Sequence, residues 1–267
     1  MLNGFRLDLE KELRRVTEAE GQTPLLTDSM QYSLLDGGKR IRPCLLLAVN
    51  EMLGGSANTA MPFACALEMI HCYSLVHDDL PSMDDDTMRR GKPSNHVRFG
   101  EANAILAGDG LLTRAALLLA EQNGHDAAKQ IILNGAMKMV NGQSLDLNAS
   151  IHTVEQLEKV HSQKTGALFC AATTAGALLA EREDCLLRME TFGKHIGWLF
   201  QLTDDILDAE EDLKNGKPSF VTLCGLEAAT SEARRAGEMA LACLESFENT
   251  AADTLRALIQ RLTTRTE

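Results

Sequence analysis

Five carboxylates and two guanidiniums fall within the fourteen positions from His77 to Arg90: Asp78, Asp79, Asp84, Asp85 and Asp86, then Arg89 and Arg90. Carboxylates this close repel one another, and cations must offset part of that repulsion. A hard divalent cation such as Mg²⁺ is the natural partner, because it binds through one or two carboxylates together with substrate phosphates. Adjacent arginines suit the same substrate, since the planar guanidinium fork matches phosphate oxygens bidentately. A solvated acidic turn is the plain alternative. A second acidic cluster weighs against it. Asp204, Asp205 and Asp208 stand among Trp198, Leu199, Phe200, Leu202, Ile206 and Leu207. Asp204 and Asp208, four apart, share one face of a helix, where like charges destabilise. Two such patches facing each other across a cavity could hold several Mg²⁺ ions around one diphosphate.

Other polar residues fit around that centre. Gly37-Gly38-Lys39-Arg40-Ile41-Arg42-Pro43 places three cations in a glycine-led turn before a helix, and backbone N–H groups at a helix start favour anions. A second diphosphate site and a basic surface loop are both open readings of that turn. His71 lies seven before Asp78 and on the same helical face, whereas His77 points elsewhere and reads as packing. Lys164-Thr165 interrupts an apolar segment, and a lysine entering a core needs an anionic partner. Gln143 and Asp146 share a helix face, and Gln201 stands three before Asp204. A buried, hydrogen-bonded polar residue is the plain alternative for each. Nucleophile elbows, Walker loops, dinucleotide fingerprints and the His-Glu-x-x-His zinc motif are absent from the sequence.

Composition narrows the class. A net charge of −12 with only 4% aromatics argues against nucleic acid as a partner. The seven cysteines are scattered and form no Cys-x-x-Cys pair, so they read as reduced thiols of a cytoplasmic protein. The N-terminus shows no apolar signal core, and no run of about eighteen apolar residues suggests a membrane span.

The elements that must position these residues are helices. No proline occurs between Pro93 and Pro218, runs of alternating β-branched residues are missing, and no linker or repeat divides the chain. One all-α domain over residues 1–267 is the simplest architecture. Helices are expected over 2–20, 28–36, 43–53, 59–79, 101–122, 126–148, 154–163, 165–180, 184–210, 227–247 and 251–263. Thr153 with Gln156 predicts a capping box, and 214–218 predicts a turn.

Together these residues resemble the trans-isoprenyl diphosphate synthase family, closest to the bacterial-type farnesyl diphosphate synthases. The likeness runs from about Asp28 to Leu223. It rests on five motifs in order: the basic turn at 37–43, Asp-Asp-x4-Asp at 78–84 with Arg89 to Pro93, Gly142-Gln143 with Asp146, Lys164-Thr165-Gly166, and the acidic motif at 204–208. The resemblance implies an all-α single-domain helical bundle around a deep central cavity, usually a homodimer, with three Mg²⁺ ions. It implies isopentenyl diphosphate and an allylic diphosphate as substrates. By resemblance, Asp78, Asp84, Asp204 and Asp208 hold the metal, with Asp79 supporting. Lys39, Arg42, His71 and Arg90 take isopentenyl diphosphate, and Arg89, Lys164, Thr165, Gln201 and Lys217 take the allylic partner. Asp78, Asp84, Lys164 and Asp204 carry the chemistry.

In this family, residues one turn and more before the first aspartate floor the product pocket. Here these are Tyr73 and Ser74, and a bulky Tyr73 resembles enzymes that stop at fifteen carbons. One departure stands out. The family's longer loop after the second motif carries a Gly-Lys, and here Asp208 is followed at once by Ala209-Glu210-Glu211-Asp212-Leu213-Lys214. Lys214 or Lys217 would have to compensate. Farnesyl diphosphate synthesis is the expected activity. Geranyl or geranylgeranyl diphosphate synthesis, or a non-catalytic regulatory subunit, are the alternatives.

Overall fold

Proline, glycine and capping residues cut the chain into helices. The computed structural model describes residues 2–18, 22–148 and 150–264. Helix α1 is Leu2–Thr17, and α2, Pro24–Leu34, begins on a proline at its first position. α3 (Ile41–Met52) follows the basic turn, where Gly37 and Gly38 take positive φ. α4 (Ala57–Asp78) tolerates Pro62 near its start, and α6 (Glu101–Ala120) and α7 (Asp126–Asn148) follow the predicted spans closely. α8 (Val154–His161) carries the predicted Thr153–Gln156 capping box. A π-helical turn, Ser162–Gly166, leads into α9 (Ala167–Leu179), and α10 (Leu186–Leu207) ends at the second acidic motif. α13 (Leu226–Ala242) and α14 (Thr250–Thr263) close the described chain.

Short elements were not foreseen. A two-residue hairpin pairs β1 (Met88–Arg89) with β2 (Lys92–Pro93), and α5 (Asn95–Phe99), α11 (Ala209–Asn215) and α12 (Phe220–Cys224) are five to seven residues long. Elements this short carry too few residues for a period to show. The first helix was expected to reach residue 20, but positions 19 and 20 lie outside the described residues.

α4 lies at the centre, packed along α6 and against α3 and α9, while α10 packs against α9 and α13. Phe63, Phe169 and Phe192 are fully buried in this core. α4 and α6 are long and apolar enough to cross a membrane by length and composition alone, but α4 is mostly buried inside the protein. α6 and α7 leave Ile105, Leu106, Leu117, Leu133 and Met137 exposed. Among the buried charges, Arg40 and Glu68 pair at 2.6 Å between the basic turn and α4.

Candidate active site

The two acidic motifs face one cavity of about 1100 Å³. Asp78 enters it from the end of α4, and Asp204 from the last turn of α10. Lys39, Arg42, His71, Arg89, Arg90, Lys164, Thr165 and Gln201 line the same space.

Arg42 lies on the first turn of α3. Its guanidinium stacks 4.7 Å from the Phe169 ring centre and 5.8 Å from that of Phe200, and Lys39 lies 5.5 Å from Phe200. Arg42 Nη1 donates to His71 Nε2 at 3.3 Å, since arginine cannot accept. Burial, then the Arg42 charge, holds His71 well below its ordinary pKa and therefore neutral. Burial also draws Arg42 down to about 10. The Arg90 guanidinium lies over Gly38, where a Cβ would come within 2.7 Å of it, and donates to the Gly37 carbonyl.

On the opposite wall, the π-helical turn displays Lys164 and Thr165. Gly142 lets α7 approach it: a Cβ there would sit 2.1 Å from the Lys164 backbone nitrogen. Lys164 pairs with Asp146 at 2.6 Å. Thr165 donates to Gln201, whose amide donates to Asp205, which accepts from the Phe220 backbone N–H. This relay fixes the Gln201 side chain on the cavity wall. Burial pushes Asp78 up to about 6, against the pull of Lys164.

The acidic residues divide by role. Asp79 was expected to support the metals, yet it is buried and both its oxygens accept from Arg89 Nε, at 2.7 and 2.8 Å. One helical step turns it about 100° away from Asp78. Asp84 and Asp208 are exposed and lie outside the cavity lining. Lys217 was expected at the substrate. It is 69% exposed, 3.8 Å from Asp212, and also outside the lining, because Gly216 in the left-handed region turns the chain there. The short α11 leaves no long loop over the cavity.

Sequence reasoning missed several lining residues. Phe200 was read only as an apolar flank of the second acidic motif, and His77 as packing, although both line the cavity. Arg6 and Arg261, from the first and last helices, also line it, and no local pattern marks them. Glu68 is the buried counter-ion of Arg40.

Among the described residues, no group of three His, Cys, Asp or Glu side chains is close enough to hold a metal alone. Mg²⁺ does not require one, because it commonly uses one or two carboxylates, waters and substrate phosphates. Arg42 Nε and both amide atoms of Gln143 are buried without hydrogen-bond partners among the described residues, and both side chains line the cavity. Buried polar atoms are nearly always satisfied, so this wall fits a polar ligand. The donor set therefore fits Mg²⁺ with a diphosphate.

Burial holds His71, His161 and His195 below their ordinary pKa. Below about 6.5 the unfolded chain takes up protons that the folded chain refuses, so this stability is present above that pH and lost as pH falls through it. Asp78, raised to about 6, acts oppositely at lower pH. The urea midpoint should therefore drop between about pH 7.5 and 6. His71→Gln, which keeps an acceptor for Arg42, should flatten that drop; an unchanged slope would remove His71 as a contributor.

The sequence profile of the polyprenyl synthetase family matches residues 23–259. The chain is 42% identical over 244 residues to the farnesyl diphosphate synthase of Bacillus subtilis (strain 168), covering 83% of this chain and 82% of that one. It is 42% identical over 254 residues to the geranylgeranyl diphosphate synthase of Cyanophora paradoxa, covering 86% and 85%. The crystal structure of a geranyltransferase from Legionella pneumophila superposes with a TM-score of 0.90 at 35% identity, covering 99% of this chain and 96% of that one.

Proposed function

The chain belongs to the polyprenyl synthetase family, and we propose that its cavity joins isopentenyl diphosphate to dimethylallyl or geranyl diphosphate and releases farnesyl diphosphate. The observation that carries this is a single cavity with Asp78 and Asp204 facing Lys39, Arg42, Arg90 and Lys164. It is a prenyltransferase site: charged at the diphosphate end and walled by Tyr73, Met139, Val140, Leu147 and Phe200 where an isoprenoid tail would lie.

Asp78 and Asp204, with Asp84 and Asp208 near them in sequence, would hold Mg²⁺, three ions by family resemblance. When bound, Mg²⁺ supplies positive charge that stabilises the departing diphosphate. Lys164 places a second positive charge on that leaving group, and Arg89, already oriented by Asp79, offers its remaining donors. Lys39, Arg42 and Arg90 receive the diphosphate of isopentenyl diphosphate, and neutral His71 keeps the Arg42 fork oriented. As the allylic C–O bond breaks, the Thr165 and Gln201 oxygens face the developing cation. The isopentenyl double bond then attacks, and the released diphosphate accepts the proton lost from the new chain. No protein side chain is needed as that base. Phe200 and the apolar wall keep water from the cation.

We further propose a homodimer in a reducing, cytoplasmic setting. The exposed apolar side chains of α6 and α7 and the free cysteines support this. The test is a product assay with labelled isopentenyl diphosphate and dimethylallyl, geranyl or farnesyl diphosphate, with Mg²⁺ or EDTA. A Mg²⁺-dependent fifteen-carbon product is expected. A twenty-carbon product would keep the chemistry and overturn the assigned length. No product from any pair would favour the regulatory-subunit alternative, consistent with the short segment after Asp208.

A further inference from the structure

Tyr73 and His77 lie one turn apart on α4, and both line the cavity. Their rings meet edge to face, with centres 5.8 Å apart and planes at 80°. His77 Nε2 lies 3.1 Å from the Ile105 carbonyl oxygen on α6. A carbonyl only accepts, so Nε2 carries the hydrogen. Beneath the imidazole lies Gly108, where a Cβ would fall 2.1 Å from Nε2. Any side chain there would displace the ring. The imidazole is thus a wedge between Tyr73 and the α6 backbone, held on one side by a hydrogen bond and on the other by a ring contact. Tyr73 stands five residues before Asp78, about 7.5 Å along the helix axis. A tail whose diphosphate is anchored near Asp78 would run toward it.

We propose that His77 is a positioning residue for product length: its clasp to the Ile105 carbonyl over Gly108 holds Tyr73 across the tail end of the cavity and stops elongation. The inference rests on the prenyltransferase reading above. Two opposite effects follow. Loss of the imidazole frees Tyr73 and deepens the pocket. A methyl at Gly108 drives the ring toward Tyr73 and makes the pocket shallower.

The experiment measures the ratio of ten-, fifteen- and twenty-carbon products from the full chain and from Tyr73→Ala, His77→Ala, His77→Gln and Gly108→Ala, with a thermal midpoint for each. Tyr73→Ala and His77→Ala are expected to raise the twenty- to fifteen-carbon ratio about tenfold or more, the discrimination one or two methylene groups of pocket depth provide. His77→Gln keeps a donor for the Ile105 carbonyl and should hold the fifteen-carbon product. Gly108→Ala should shift output toward ten carbons. A merely structural role would lower the midpoint without moving these ratios. If Tyr73→Ala lengthens the product while His77→Ala leaves the ratio within about twofold, the inference is overturned. It is also overturned if His77→Ala and His77→Gln lengthen the product equally, because bulk rather than the clasp would then decide. A wild-type chain that makes no product fails at the earlier step, and the inference falls with the reading beneath it.

Discussion

Asp204→Asn is expected to lower kcat by about 10²–10³-fold or more, because removing one anchor of the cationic charge loses several kcal/mol of transition-state stabilisation. Asp78→Asn should behave alike. Both are half-buried on the cavity wall at helix ends. Neither side chain is part of the buried core, so the denaturation midpoint should stay close to wild type. Neighbouring carboxylates supply the contrast. Asp205→Asn weakens the acceptor that holds Gln201 and the Phe220 N–H, and Asp79→Asn removes the close charged partner of Arg89, leaving it the 3.9 Å contact with exposed Asp86. Those variants should lose stability and some substrate affinity. Single-turnover rates and urea midpoints on all four variants check the division. If Asp204→Asn turns over like wild type, Asp204 is not part of the reacting centre. If Asp205→Asn is the more severe catalytically and the less severe in stability, the two roles are reversed.

Part of that division was legible in the sequence. Asp78 aligns with His71 seven positions earlier, so one helical face carries both to the cavity, whereas Asp79, one step round, was read with the metal carboxylates. The long helices were legible because proline, glycine and the Thr153–Gln156 box mark their ends. The turn at Gly216 was legible too, but α11 and α12 on either side of it were not, because the features that fix them are tertiary: buried Asp212, and Phe220 packed 5.8 Å from Trp198. The position of Lys217 was not legible for the same reason. A lysine in a family-like position reads as a ligand, and only the turn that follows α11 shows that it faces Asp212. His77 was misread because a helical wheel assumes one functional face, whereas the cavity wraps around the end of α4 and reaches its next face too. Nothing local could have joined Arg6 and Arg261 to the site, since they come from opposite ends of the chain.

Glu68→Ala is expected to cost about 3–5 kcal/mol of stability, since removing one partner of a buried ion pair strands the other charge. The Arg40 side chain is 1% exposed and that of Glu68 4%. Arg40 also donates to the Leu34 carbonyl, and its buried Nε has no partner among the described residues to absorb the loss. The effect should reach the chemistry. Arg40 adopts a left-handed backbone conformation, at φ 49°, between Lys39 and Ile41. For a non-glycine residue that conformation persists only when its surroundings hold it. The Arg40–Glu68 contact supplies that hold, so the pair fixes the direction in which Lys39 and Arg42 leave the turn. Arg40→Met combined with Glu68→Leu replaces the pair with apolar bulk and should recover much of the stability. It should not recover the affinity for isopentenyl diphosphate, because an apolar contact does not fix the turn with the same hydrogen bonds. Urea denaturation and the KM for isopentenyl diphosphate in both variants separate the two effects. A double variant with wild-type KM would show that the glycine turn and α3 alone position the cations, and Glu68→Ala within about 0.5 kcal/mol of wild type would show that water reaches Arg40.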